Sequence, residues 1–137
     1  MTREEIALVK ESFARLRPIP KGVGREFYEK LFARDPALRA LFRGDLDAQG
    51  AMFVSALGLA VAGLDEGASG ERPIRELGQR HASYGVRDMH FATFREALVD
   101  TLRSQLGASF TEAHAAAWRS AFDRIGEVMR DAAAGRS

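Results

Sequence analysis

Apolar residues recur every three or four positions near the start of the chain, a spacing typical of an α-helix that buries one face. The stripe consists of Ile6, Val9, Phe13 and Leu16. Thr2 and Glu5 stand three residues apart at the start of this segment, and the pair predicts a capping box. Pro18 and Pro20 follow the stripe, and because proline disrupts a helix interior, we predict that they end the first helix.

Six further segments follow, and most of them start at a residue that favours a helix N-terminus. The predicted starts are Lys21, Asp35-Pro36, Asp45, Pro73, Asp88 and Thr111. The segment that opens at Asp35-Pro36 is a short turn through Phe42, and the segment after Asp45 is long and ends near Leu64. Gly85 is expected to close the helix that follows Pro73. No segment alternates convincingly like a strand, so the pattern predicts an all-α fold of about seven helices.

Length and composition agree with one globular domain. The chain has 137 residues, of which 46% are hydrophobic and 28% are charged. A chain of this size buries enough surface to form a real core. We therefore expect a single domain over residues 1–137, with a tail that frays from about residue 132.

Charge and cysteine content exclude several classes of function. Twenty Lys and Arg residues oppose nineteen Asp and Glu residues, which leaves a net charge of +1, so we expect neither nucleic acid nor an anionic membrane as a partner. A sequence with no cysteine has no disulfide, thiolate zinc site, iron–sulfur cluster or catalytic thiol. The charged N-terminus does not resemble a signal peptide, and the longest weakly polar stretch, 51–64, is too short to span a bilayer. These features favour a cytoplasmic protein.

Each of the three histidines has a structural and a functional interpretation. His81 is in line with Ile74 and Tyr84 on the apolar face of its helix, where it is either a hydrogen-bonded core residue or a ligand to the metal of a flat cofactor. His90 and His114 fall in the first turns of later helices, where we expect solvated or edge residues. No two of the three have the spacing of a zinc-binding pair on one helix.

Several blocks of sequence, in the right order, resemble the globin family. The segment Leu77–Val86, with the sequence LGQRHASYGV, resembles the proximal-histidine segment of globins. Three earlier segments are similar to the second and third helices of bacterial globins: Phe27–Phe32, Asp35-Pro36 and Leu41-Phe42. Single-domain bacterial globins and the globin part of flavohaemoglobins match best, and the resemblance extends from about Ile6 to Met129.

The resemblance implies a globin fold around haem b (iron protoporphyrin IX), with His81 as the ligand that the protein gives to iron. By the same resemblance, Phe42 stacks on the porphyrin face, and Tyr28 and Gln49 supply hydrogen bonds on the opposite, distal side. Phe53 matches an apolar residue that packs over the ligand site, and its ring is larger than the leucine common there. The positions that match porphyrin-edge contacts are Val86, Phe91, Phe94, Leu98 and Phe122. Arg80 is placed to meet a haem propionate.

Some of these residues also have a purely structural interpretation. Tyr28 could bury its ring and bond a backbone carbonyl, and Gln49 could be a solvated residue near a helix start. Phe42, Phe53, Phe91 and Phe94 belong to a core under either interpretation, because a haem pocket is itself core.

The function implied by the resemblance is reversible binding of O2 and other diatomic gases, CO and NO, at ferrous iron, for oxygen binding or transport. The alternative is a nitric oxide dioxygenase in which Tyr28 and Gln49 are the catalytic residues. That enzyme would need a separate reductase, because the sequence contains no recognisable flavin or nicotinamide domain. A gas sensor is the third hypothesis.

Overall fold

The computed structural model describes residues 1–16, 20–42, 44–66, 70–76 and 88–135, and these residues form helices and no strand. The α-helices are α1 (Arg3–Leu16), α2 (Pro20–Arg34), α3 (Leu46–Ala62), α4 (helical over residues 70–76), α5 (Asp88–Leu106) and α6 (Glu112–Ala133). Two 3-10 segments, Pro36–Leu41 and Gly107–Ser109, complete the order. The all-α prediction is confirmed, and helical residues are described in each of the seven predicted segments, of which the one after Pro73 is described only as far as residue 76.

Thr2, Asp35 and Asp45 cap helical segments where the sequence predicts them. The Glu5 N–H donates to Thr2 Oγ1 at 3.1 Å and the Thr2 N–H donates to Glu5 Oε1 at 2.9 Å, which forms the predicted capping box. The carboxylates of Asp35 and Asp45 each accept a backbone N–H two residues further on. These side chains satisfy donors that have no partner within a helix.

Three boundaries differ from the prediction by a few residues. Helix α3 ends at Ala62 rather than near Leu64, and Gly63 is its C-cap. Residue 70 is already helical, so α4 begins before Pro73. Asp88 is the first residue of α5 and not the cap that precedes it. The predicted C-cap Gly85 lies outside the described residues.

Helices α2 and α3 cross at two glycines. A Cβ built on Gly50 would lie 2.8 Å from the carbonyl carbon of Gly24, and a Cβ on Gly24 would overlap the backbone of Gly50. Only glycine lets two helix backbones approach this closely. The crossing fixes the positions of Tyr28, one turn after Gly24, and of Phe53, about one turn after Gly50.

The main core is formed by α1, α2, α3, α5 and α6, and Trp118 of α6 is its largest fully buried side chain. The Trp118 indole N–H donates to Ser12 Oγ of α1 at 2.8 Å, so the buried donor is satisfied. Ile74 of α4 packs in a second cluster, together with Ala60, Ile125, Val128 and Met129. Glu71 of α4 also pairs with Arg124 of α6. Helix α4 is therefore fixed on α6 just before the segment that carries His81.

Within the described ranges, no helix is both long and apolar enough to cross a membrane.

Candidate functional site

Six aromatic rings from four elements meet on one side of the α2–α3 crossing. The rings belong to Phe27, Tyr28 and Phe32 of α2, Phe42 after the first 3-10 segment, Phe53 of α3 and Phe94 of α5. We call this group the aromatic cluster. Four members of the cluster, Tyr28, Phe42, Phe53 and Phe94, are residues that the sequence predicts at the site.

 The centroid of the Tyr28 ring lies 5.0 Å from that of the Phe42 ring and 6.3 Å from that of the Phe53 ring.

Tyr28 lies at the centre of the aromatic cluster. Its side chain is 6% exposed, and its ring also contacts Phe27 at 5.3 Å and Phe32 at 6.0 Å. Burial among apolar rings disfavours the charged phenolate and raises the pKa of Tyr28 to about 12. The hydroxyl therefore keeps its proton at neutral pH and is available as a hydrogen-bond donor.

Phe53 is half-buried and lies flat against Phe27, with ring centroids 4.1 Å apart and planes 5° from parallel. This stacking joins α3 to α2 next to Tyr28. The expectation that Phe53 covers a ligand site is compatible with this position, but the described residues do not test it.

Gln49 is half-buried in the first turn of α3, one turn before Phe53. Its side-chain Nε2 lies 4.0 Å from the position that a Cβ on Gly44 would take. The amide is therefore turned toward the start of its own helix, and its role as a distal donor stays a prediction.

The remaining predicted contacts differ in burial. Phe94, Leu98 and Phe122 are buried in the main core, whereas Phe91 is half-buried with the Arg130 guanidinium 5.1 Å from its ring centroid. His81, Arg80 and Val86 lie outside the described residues, as does the side chain of His90.

His114 differs from the sequence expectation, because it is buried rather than a solvated edge residue. Its Nδ1 accepts the Thr111 N–H at 3.1 Å, and its Nε2 lies 2.6 Å from Glu11 Oε1 of α1. The hydrogen bond with His114 holds the pKa of the Glu11 carboxyl below its ordinary value. The local signal was the three-residue spacing of Thr111 and His114, which matches a capping box in which histidine replaces Glu or Gln.

Comparison with known proteins identifies the family. The globin family model matches residues 25–129. The chain is 30% identical to leghemoglobin-1 of Lupinus luteus, over 97% of this chain and 98% of that protein. It is 22% identical to a flavohemoprotein of Vibrio cholerae and 27% identical to one of Bordetella pertussis, and it spans about a third of the length of each. The chain belongs to the globin family.

Proposed function

We propose that the protein binds haem b and takes up O2, CO and NO at ferrous iron, with His81 as the protein ligand to the metal. The observation that carries this proposal is the buried Tyr28 hydroxyl at the centre of the aromatic cluster, in a chain of the globin family. A buried, protonated phenol on an apolar wall is a suitable donor to a small polar ligand.

The described part of the site fits a flat apolar group. Phe42 and Phe53 are half-buried beside the buried Tyr28, and the three rings form the kind of apolar aromatic surface that a planar group packs against. Under the proposal, Val86, Phe91, Phe94, Leu98 and Phe122 would contact the edge of the porphyrin. Arg80 would pair with a propionate, because a guanidinium and a carboxylate form strong charge-assisted hydrogen bonds.

Haem, when bound, supplies the iron at which a diatomic gas binds. The protein's part is to hold a donor near the gas and to keep water away. The Tyr28 O–H would donate to a polarised ligand, and the surrounding apolar rings would strengthen that hydrogen bond by lowering the local dielectric. Gln49 would act as a second donor.

The second candidate is a nitric oxide dioxygenase that works with a separate reductase. Similarity to flavohemoproteins over the globin part favours it, since the names of those relatives join a flavin to a haem protein. Consumption of NO by the purified protein with a reductase present would support the enzyme, and binding without consumption would support the carrier. Nothing described in the structure favours the gas sensor.

Three histidine variants test the proposed iron ligand. His81→Ala should lose haem or bind it weakly, because it removes the proposed bond between protein and iron. His90→Ala and His114→Ala are the controls and should keep the wild-type visible spectrum. A His81→Ala protein with an unchanged ferrous spectrum, together with haem loss in either control, would contradict the assignment.

A further inference from the structure

Arg39 lies in the first 3-10 segment and forms hydrogen bonds with both the N–H and the carbonyl of Phe42. The Phe42 N–H donates to the Arg39 carbonyl at 3.2 Å, and Arg39 Nη1 donates to the Phe42 carbonyl at 2.6 Å. Phe42 is the C-cap of the segment and has left helical geometry, with φ −119° and ψ 89°. Its carbonyl has no helical partner, and an arginine side chain is one of the groups that can satisfy it.

The same guanidinium contacts the aromatic cluster. Arg39 Cζ lies 5.4 Å from the centroid of the Phe32 ring, in a cation–π contact. Between ring centroids, Phe32 lies 5.8 Å from Phe42 and 6.0 Å from Tyr28, and Phe42 lies 5.0 Å from Tyr28. The guanidinium of Arg39 thus contacts the Phe32 ring, and two hydrogen bonds join Arg39 to the backbone of Phe42.

We propose that Arg39 is a positioning residue, which fixes the Phe42 ring against Tyr28 and so shapes the surface that receives the porphyrin. This inference rests on the proposed function, because Phe42 is the ring expected to stack on haem. Arg39 is exposed and reaches the site only through Phe42 and Phe32.

The test compares Arg39→Met with Arg103→Met. Arg103 is the matched control, because its guanidinium also lies over a phenylalanine, 5.7 Å from the Phe110 ring, but outside the aromatic cluster. Two quantities are measured in the full chain: the nuclear Overhauser effect between the Tyr28 and Phe42 rings, and the rate of haem transfer to excess apomyoglobin. Arg39→Met should weaken the ring-to-ring signal and speed haem loss roughly threefold to tenfold, the size expected for one net hydrogen bond. Arg103→Met should change neither.

The positioning role requires both changes. An unchanged ring-to-ring signal in Arg39→Met, or an unchanged rate of haem loss, would overturn it. Arg39→Lys, which keeps a cationic donor, should recover part of both. If the wild-type chain takes up no haem, the proposed function fails, while the ring-to-ring signal in the haem-free chain still tests whether Arg39 fixes Phe42.

Discussion

Tyr28→Phe removes a single hydroxyl, and its loss should speed the dissociation of O2 much more than that of CO. A donor stabilises the polarised O2 ligand more than the nearly neutral CO ligand. A hydrogen bond to a charged group contributes about 1.5–3 kcal/mol, so Tyr28→Phe should speed O2 dissociation about 10- to 150-fold. Stopped-flow and flash-photolysis rates for both gases check this.

Gln49→Leu is the companion variant, and its effect on O2 dissociation should be smaller than that of Tyr28→Phe. If O2 and CO dissociation change by equal factors in both variants, these side chains only restrict access and donate no hydrogen bond.

Tyr28 should also affect stability at alkaline pH. An unfolded tyrosine ionises near pH 10, whereas burial raises the pKa of Tyr28 to about 12 in the folded protein. Between these values the unfolded chain releases a proton that the folded chain retains, so stability falls as pH rises from 10 to 12. The two-unit shift corresponds to about 2–3 kcal/mol.

Urea unfolding from pH 8 to 11.5 measures this loss. The free energy of unfolding of the wild type should fall more steeply above pH 10 than that of Tyr28→Phe, and the two curves should be parallel below pH 9. Parallel curves over the whole range would show that Tyr28 is not buried as described.

Among the helices, the crossing of α2 and α3 matters most for the site, because it positions Tyr28 and Phe53. Gly24→Ala places a Cβ in the backbone of Gly50, so the helices must separate. Overpacking of this kind costs about 1–3 kcal/mol. Gly22→Ala is the matched control on the same helix, because its Cβ would meet nothing within 4 Å. Since alanine favours a helix more than glycine does, this variant should be more stable than the wild type by up to about 1 kcal/mol. Urea unfolding that ranks the two variants the other way would contradict the crossing.

The elements also show what local sequence can predict. The caps at Thr2, Asp35, Asp45 and Thr111 were predictable because each depends on residues two or three positions away. The burial of His114 was not, since its partner Glu11 is 103 residues away and only the packing of α1 on α6 brings them together.

The candidate site shows the same division. Tyr28, Phe42 and Phe53 were found through a resemblance that spans nearly the whole chain, and the structure brings them together. Spacing gave no sign of the Arg39 contact with Phe32, because it depends on the angle at which the 3-10 segment meets α2.

At the scale of the whole molecule, haem binding and folding should be coupled. A ligand that binds only the folded state stabilises it by mass action, and the gain grows with the ligand concentration relative to Kd. Ile74 and Glu71 hold α4 on α6, and α4 precedes His81 in the chain, so haem binding at His81 should add to the stability of this packed pair of helices.

The absorption spectrum of the purified chain during titration with haem, followed by dithionite and CO, tests the central claim most directly. The account predicts saturation at one haem per chain and a sharp Soret band that shifts when CO is added to the reduced protein. A titration without saturation, or a spectrum that remains that of free haem, would contradict it.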